Sequence, residues 1–346
     1  MTSRIISDVV TVDGETWAVR RAWPASRNRI AIEAKKNSAI RAGFLCAGHV
    51  DMLDAGRDPK LPGLERLLAS AGNQLISHRP GKRAVIRLAD GGFAKCVRSA
   101  RAADIIAGQD RAESFRNGFA LPNVVSADDS AVVLSALPGV ELHDPQRLGA
   151  EWSRAWTDAL DAWALAAGEA VSSMPVHSAA SEVQVLEEWR DRAYEFLGSQ
   201  LPEIDSLIED VRADLLDSRA ASAGEENAGE RNWGPIHRDL HDKQIMWDPV
   251  AGPGLLDVDT ACLGERELDL GNLRAHARWR TQQGIWTPDD AEAVVQEISR
   301  VTSASGLGPR RVRTYERSAL VRLACVYAFR PRWSSLTGVL LDAAHE

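Results

Sequence analysis

The sequence predicts an α+β chain built as two lobes. Three observations carry that expectation. Strand-like runs fill residues 1 to about 60, five further strands with one helix occupy roughly 74–137, and from about 144 onward apolar residues recur at helical spacing. A chain of 346 residues is long enough for two or three subdomains. Composition shifts near 62 and a Pro138-Gly139 break give three expected units: a β-rich cap over 1–62, a sheet-and-helix lobe over 63–138, and a mostly helical lobe over 139–346.

The cap comes first. "VVTV" and "TWAVRR" flank Asp13-Gly14, a pair that tolerates positive φ and so marks a hairpin turn. "IAIEA", "AIRAGF" and "HVDML" follow as an antiparallel meander. A helix through 30–45 competes, because Ala and Lys are good helix formers; the Ile30/Ile32 alternation favours strands. "DPKLPGLERLLASAG" reads as a turn and a short helix. "NQLISHR", "RAVIRLA" and "FAKCVRS" are strands joined by "PGK" and "DGG", then a helix runs from about Ala100 to Phe115, and "NVVSA" and "AVVLSAL" complete the sheet.

In the second half, Trp152, Trp156 and Trp163 share one helical face, and Leu186, Trp189, Ala193 and Phe196 share another. Tryptophans at that spacing form core. "DSRAASAGEENAGERN" (217–232) is small and polar, as a mobile loop would be. The last helix is expected to carry Tyr315, Ala319, Leu323 and Tyr327 in register.

Composition excludes several classes. No apolar run reaches the roughly 18 residues of a membrane helix, and no signal peptide opens the chain, so a cytoplasmic protein is expected. A net charge of −8 disfavours general nucleic-acid binding. The four scattered cysteines (46, 96, 262 and 325) lack C-x-x-C spacing and read as buried thiols. No G-x-S-x-G supports a serine hydrolase, and no G-x-G-x-x-G a dinucleotide site.

The chemistry concentrates in "GPIHRDLHDKQIMWDP" (234–249) and the following "GLLDVDT". His237, Asp239 and Gln244 form H-x-D-x-x-x-x-Q, and Asp257 follows after a short apolar strand. Phosphoryl transfer needs such a set: one carboxylate to orient an acceptor hydroxyl, and hard oxygen donors for magnesium on the phosphates. Asp239 suits the first task, Gln244 and Asp257 the second. Asp259, two residues along the same strand, points to the same side as Asp257 and is placed to assist.

These residues carry a resemblance. "HRDLHDKQIMWD…GLLDVDTACLGERELDLGNL" resembles the catalytic segment of the aminoglycoside phosphotransferases, relatives of the protein kinases, which reads H-G-D-x-H-x-x-N. The resemblance implies a bilobal protein-kinase-like fold, with ATP and Mg²⁺ between the lobes and a small-molecule hydroxyl as acceptor. It makes Asp239 the catalytic base, Gln244 and Asp257 the metal ligands, and Asp269 in "DLGNL" the buttress of the loop. "RAVIRLADGGFAKCV" resembles the strand pair that presents a phosphate-binding lysine, here Lys95, with Glu113 on the next helix as its ion-pair partner. "AVVLSALPGVEL" resembles the hinge, where the backbone of Ser135 to Leu137 would meet adenine.

Two departures stand out: Gln244 replaces the family's Asn, and there is no long glycine-rich loop, since "HRPGKR" offers a single glycine. Bacterial maltokinases and glucosamine kinases, distant members, also use a glutamine in this loop and carry an N-terminal cap. The acceptor is expected to be an aminoglycoside or amino sugar, held by the helical lobe and the 217–232 loop; the cap and Gln244 favour the alternative, a neutral sugar. His237 is expected to hold the loop. His241, Lys243, and Arg330 and Trp333 of "FRPRW" are candidate substrate contacts. Two rivals stand beside this reading: a zinc pair of His237 and His241, which lacks the glutamate of H-E-x-x-H, and a pseudokinase that binds ATP without transferring it.

Overall fold

Asp13 and Gly14 both adopt positive φ (54° and 79°), as a tight hairpin turn demands, and they fold β1 (Val9–Val12) back on β2 (Glu15–Pro24). β3 (Arg29–Lys36), β4 (Ala39–Cys46) and β5 (His49–Met52) continue an antiparallel meander in the order β1-β2-β3-β4-β5. The competing helix over 30–45 does not form. Ile30 pairs with Leu45 and Lys36 with Ala39, and Ile30, Ile32 and Ala34 are buried. Tertiary burial overrides the helix propensity of Ala and Lys. A computed structural model describes residues 5–25, 29–168, 174–217 and 232–346. The expected mobile loop therefore lies, except for its two end residues, outside the described residues.

α1 (Pro62–Leu68) leads into a second antiparallel sheet, ordered β6-β7-β8-β10-β9, from β6 (Gln74–Arg79), β7 (Arg83–Arg87), β8 (Phe93–Val97), β9 (Val124–Ala127) and β10 (Ala131–Leu134). The helix expected to reach Phe115 is shorter. α2 (Ala102–Arg111) gives way to a 3₁₀ turn at Ala112–Asn117, which buries Phe115.

The helical half holds α3 (Pro145–Leu148), α4 (Trp152–Ala167), α5 (Ala179–Leu197), α6 (Leu201–Leu216), α7 (Glu267–Gln282), α8 (Pro288–Ala304) and α9 (Pro309–Ala328). Trp152, Trp156 and Trp163 are buried core, the first two packing edge-on against Trp286 at 5.0 and 5.8 Å. α9 buries Tyr315, Ala319, Leu323 and Tyr327 as expected, but it is not the last helix. α10 (Thr337–His345) follows, sinking Leu340, Leu341 and Ala344. Two small sheets complete this half: β11 (Val140–Glu141) with β14 (Ile245–Asp248) and β15 (Gly252–Leu255), and β12 (Val176–His177) with β16 (Cys262–Glu265) and β13 (Trp233–Ile236).

One apolar core joins the N-terminal sheet to the helices: Val10, Trp17 and Ile32 share it with Leu186, Phe196, Leu207 and Ala324. The sheet thus packs on the helical half as well as beside β6. Cys96, Cys262 and Cys325 are buried thiols, whereas Cys46, at the exposed end of β4, is not. Among the described residues no helix is long and apolar enough to cross a membrane.

Candidate active site

β13 delivers the chain to a loop whose shape is set from α7. Asp269, fully buried in the first turn of α7, accepts the backbone N–H of His237 and of Arg238, both at 2.9 Å, and the Trp163 indole N–H at 3.2 Å. A carboxylate at a helix N-terminus is favoured there by the helix dipole. Arg238 has φ 72°, where the resembling motif has glycine. Its carbonyl accepts from Asn272 at 2.9 Å, so the strained residue is clamped on both sides.

Asp239 follows this residue in the loop. Its side chain is about half exposed (48%), and Arg322 of α9 donates to it at 3.2 Å. Desolvation works to raise its pKa, but the charges of His241, Arg322 and His237 and the Arg322 hydrogen bond outweigh it and hold the carboxyl below its usual range.

The loop is tied to the strand that follows it. His237 Nε2 donates to the Leu256 carbonyl at 2.8 Å, Leu256 N donates to the Gln244 carbonyl at 2.8 Å, and the Thr260 hydroxyl donates to the His237 carbonyl at 2.9 Å. These bonds place residues 237–244 against Asp257, which itself sits in the left-handed region at φ 52°.

Across from them, β8 presents Lys95, whose side chain is only 12% exposed. Its ammonium lies 2.8 Å from Asp257 Oδ1 and 3.0 and 2.9 Å from the two oxygens of Asp259. Burial would lower the lysine pKa, yet the two carboxylates reverse the sign and raise it. For Asp257 burial would raise the pKa; Lys95, with help from Arg83 and His237, depresses it instead.

The expected pairing of Lys95 with Glu113 does not occur. Because α2 ends at Arg111, Glu113 falls on the 3₁₀ turn, exposed, and pairs with Arg116 at 2.9 Å. α2 acts on the site differently. A Cβ added at Gly108 would lie 2.7 Å from Asp259 Cα, so the helix backbone rests directly on this segment. Arg111 donates to the carbonyls of Asp259 (2.9 Å) and Ala261 (3.1 Å).

Gln244 is buried, and its amide nitrogen stands 3.4 Å from His241 Nε2. His241 accepts the Lys243 N–H on Nδ1 and stacks on His276 at 4.6 Å, so it is committed within the loop, while Lys243 is exposed. The rival zinc pair of His237 and His241 gains no support: among the described residues His237 does not belong to the group of converging ligating atoms. His241, Asp242 and His276 do bring ligating atoms within 4.8 Å of one another. Asp242, however, is already held by Arg280 through two 2.9 Å bonds and by His143, and a cation beside that guanidinium is disfavoured. The cluster is an anchor for the loop.

At the expected hinge, the Ser135 N–H donates to the Asn123 carbonyl and its hydroxyl accepts from Asn123 N, both at 2.9 Å. That N–H is taken up within the protein, so an adenine contact from this segment would come from its other backbone groups; Leu137 leans toward Gly254. Arg330 and Trp333 lie beyond the end of α9, Arg330 over the Tyr327 ring at 4.9 Å and Trp333 6.3 Å from Trp279.

Asp257 and Asp259 put two carboxylates on one segment, and the Gln244 backbone is tied to that segment through Leu256; carboxylate and amide oxygens are hard donors of the kind Mg²⁺ takes. Sequence reasoning missed Arg322, Asn272, Arg111 and Arg280. Asn272 was findable, three residues after Asp269 on one helix face.

The Phosphotransferase enzyme family profile matches residues 67–313, more than half the chain. Among solved structures, the aminoglycoside phosphotransferase APH(3'')-Id of Streptomyces rimosus superposes with a TM-score of 0.55 at 22% identity, covering 77% of this chain and 97% of its own. Choline kinase from Streptococcus pneumoniae gives 0.55 at 10% identity (81% and 96% covered), and the amicoumacin kinase hAmiN 0.57 at 11% (79% and 87%). No curated protein matches the chain in sequence. Family match and fold agree: the chain belongs to the phosphotransferase enzyme family, within the kinase-like superfamily of the aminoglycoside phosphotransferases.

Proposed function

We propose that the protein is an ATP- and Mg²⁺-dependent kinase that phosphorylates a hydroxyl of a small polar molecule. The observation that carries this reading is Lys95 bracketed by Asp257 and Asp259, on a segment hydrogen-bonded to the Asp239 loop. Structural relatives support it: the Streptomyces rimosus enzyme is known with ADP and streptomycin, and the amicoumacin kinase with AMP-PNP and Ca²⁺.

In this reading the Lys95 ammonium binds phosphate oxygens as a point charge. Gln244 and Asp257 would hold Mg²⁺, which when bound neutralises phosphate charge. Asp239 orients the acceptor hydroxyl and takes its proton late. A carboxylate kept ionised by Arg322 is a weak base, suited to a loose transition state in which the proton leaves after most of the bond breaking. Asp269 and Asn272 hold the loop, and the three-part division at 62 and 138 gives each lobe one share of the site.

Two variants test the assignment. Asp239→Asn should lower turnover by roughly 10²–10⁴-fold with nucleotide binding nearly intact. Asp257→Ala should abolish magnesium-dependent ATP binding in calorimetry. Near-normal turnover in the first, or unchanged MgATP affinity in the second, refutes the corresponding role. A wild-type protein that binds MgATP but transfers phosphate to no hexose, amino sugar or aminoglycoside, and does not hydrolyse ATP, would favour the pseudokinase.

A further inference from the structure

Three arginines meet where the N-terminal sheet, the β6–β7 hairpin and the end of α9 come together. Arg21 and Trp23, two residues apart on β2, project to the same side. Arg21 Nε lies 3.9 Å from one oxygen of Glu33 on β3, and the other oxygen accepts the His78 N–H of β6 at 2.6 Å. The next residue on β6, Arg79, places its guanidinium 5.3 Å from the Trp23 ring centre. Just past the end of α9, Arg330 lies over the Tyr327 ring, and its Nε is buried with no hydrogen-bond partner.

Among the described residues neither Arg79 nor Arg330 has a carboxylate in ion-pair contact. Burial lowers the Arg79 pKa to about 10, and the charges of Arg83, Arg192 and Arg330 add to that. Burial does the same to Arg330; Arg21 and Arg280 reinforce it, while Tyr327 and Glu33 oppose it. Glu33 alone stands against three cations here, and sequestering guanidinium groups without counter-charge is costly.

The junction adjoins the proposed catalytic centre on two sides. Arg79 is the cross-strand partner of Arg83, whose charge acts on Asp257. Arg322, which touches Asp239, lies on α9, and Arg330 follows the end of that helix, over the ring of its last-turn Tyr327.

We infer that this junction is an acceptor subsite for an anionic group, so that the acceptor is a polyhydroxylated molecule carrying a phosphate or carboxylate away from the reacting hydroxyl. The inference rests on the kinase reading and deepens it. Guanidinium forks match the geometry of both anions. The N-terminal sheet then has a part in recognition, since Arg21 supplies one of the guanidinium groups. A polycation such as an aminoglycoside would be repelled.

The test is a titration of inorganic phosphate, and separately of acetate, into the full-length protein saturated with magnesium and AMP-PNP, so that the Lys95 site is filled. The expected result is binding of at least one anion, weakened about tenfold or more in both Arg79→Gln and Arg330→Gln. The stronger of the two anions identifies the acceptor's charged group. Melting curves confirm that each variant is folded, and the two substitutions on separate elements guard against loss of either one. No anion binding by the wild type, undiminished binding in both folded variants, or faster phosphorylation of streptomycin than of glucuronate and glucose 6-phosphate overturns the inference. MgATP affinity of the wild type, measured on the same sample, tests the kinase reading on its own.

Discussion

Lys95 Nζ lies within 3.0 Å of both carboxylate oxygens of Asp259, and no acid of α2 shares it. Asp257 faces two ways, toward Lys95 and toward the oxygen donors proposed to hold magnesium. When it turns to a cation, Asp259 is what remains to position the ammonium. Asp259→Asn should therefore raise KM for ATP by about ten- to a hundredfold, the cost of removing one charge-assisted hydrogen bond, with a smaller fall in kcat. Glu113→Gln should leave both constants unchanged. Steady-state kinetics with varied ATP checks the pair, and the opposite ranking would return the lysine's partner to the 3₁₀ turn.

A helix-interior glycine is normally a weak point, and replacing it by alanine stabilises by about 1 kcal/mol. At Gly108 the sign should reverse. The added methyl would meet Asp259 Cα at 2.7 Å, a backbone atom that cannot swing aside. Either α2 or the 257–261 segment must move, at a cost of about 1–3 kcal/mol as in other overpacked sites. Gly108→Ala should lower the melting temperature and turnover together, whereas Ala107→Gly should only destabilise. Thermal melts with parallel assays distinguish the two.

The elements and the loop were legible because each is locally encoded. The Asp13-Gly14 turn, the Ile30/Ile32 alternation and the tryptophan stripe of α4 all signal through neighbours within a few residues. Asp269 was legible in another way, through the resemblance of "DLGNL" to the element that buttresses the family's catalytic loop. Partnerships across the chain were not legible. Arg322 lies 83 positions from Asp239, and Arg280 lies 38 from Asp242. Nothing in either local sequence singles out one arginine among many. The misassigned Glu113 has the same origin: its role hangs on where α2 stops, and helix ends are set by packing, here the burial of Phe115. Cys46 was misjudged as buried because β4 ends at a turn on the surface.

Glu267 begins α7, fully buried, two residues before Asp269. Asn232 donates to its Oε1 at 2.9 Å, while Oε2 is buried without a partner. Burial, added to by the charge of Glu265, raises its pKa to about 7 against the ordinary 4.5. A group whose folded pKa is raised binds its proton more tightly in the native state. Its contribution is fully present below pH 4.5 and is lost as pH rises through 7. The loss should be on the order of 3 kcal/mol, from 1.36 kcal/mol per unit of difference. Glu267→Gln keeps the shape and removes the titration. It should raise the melting temperature at pH 8 relative to the wild type and change it little at pH 5. Melts at the two pH values check the sign: equal shifts at both would mean that the carboxyl ionises in the folded protein as easily as in the unfolded chain.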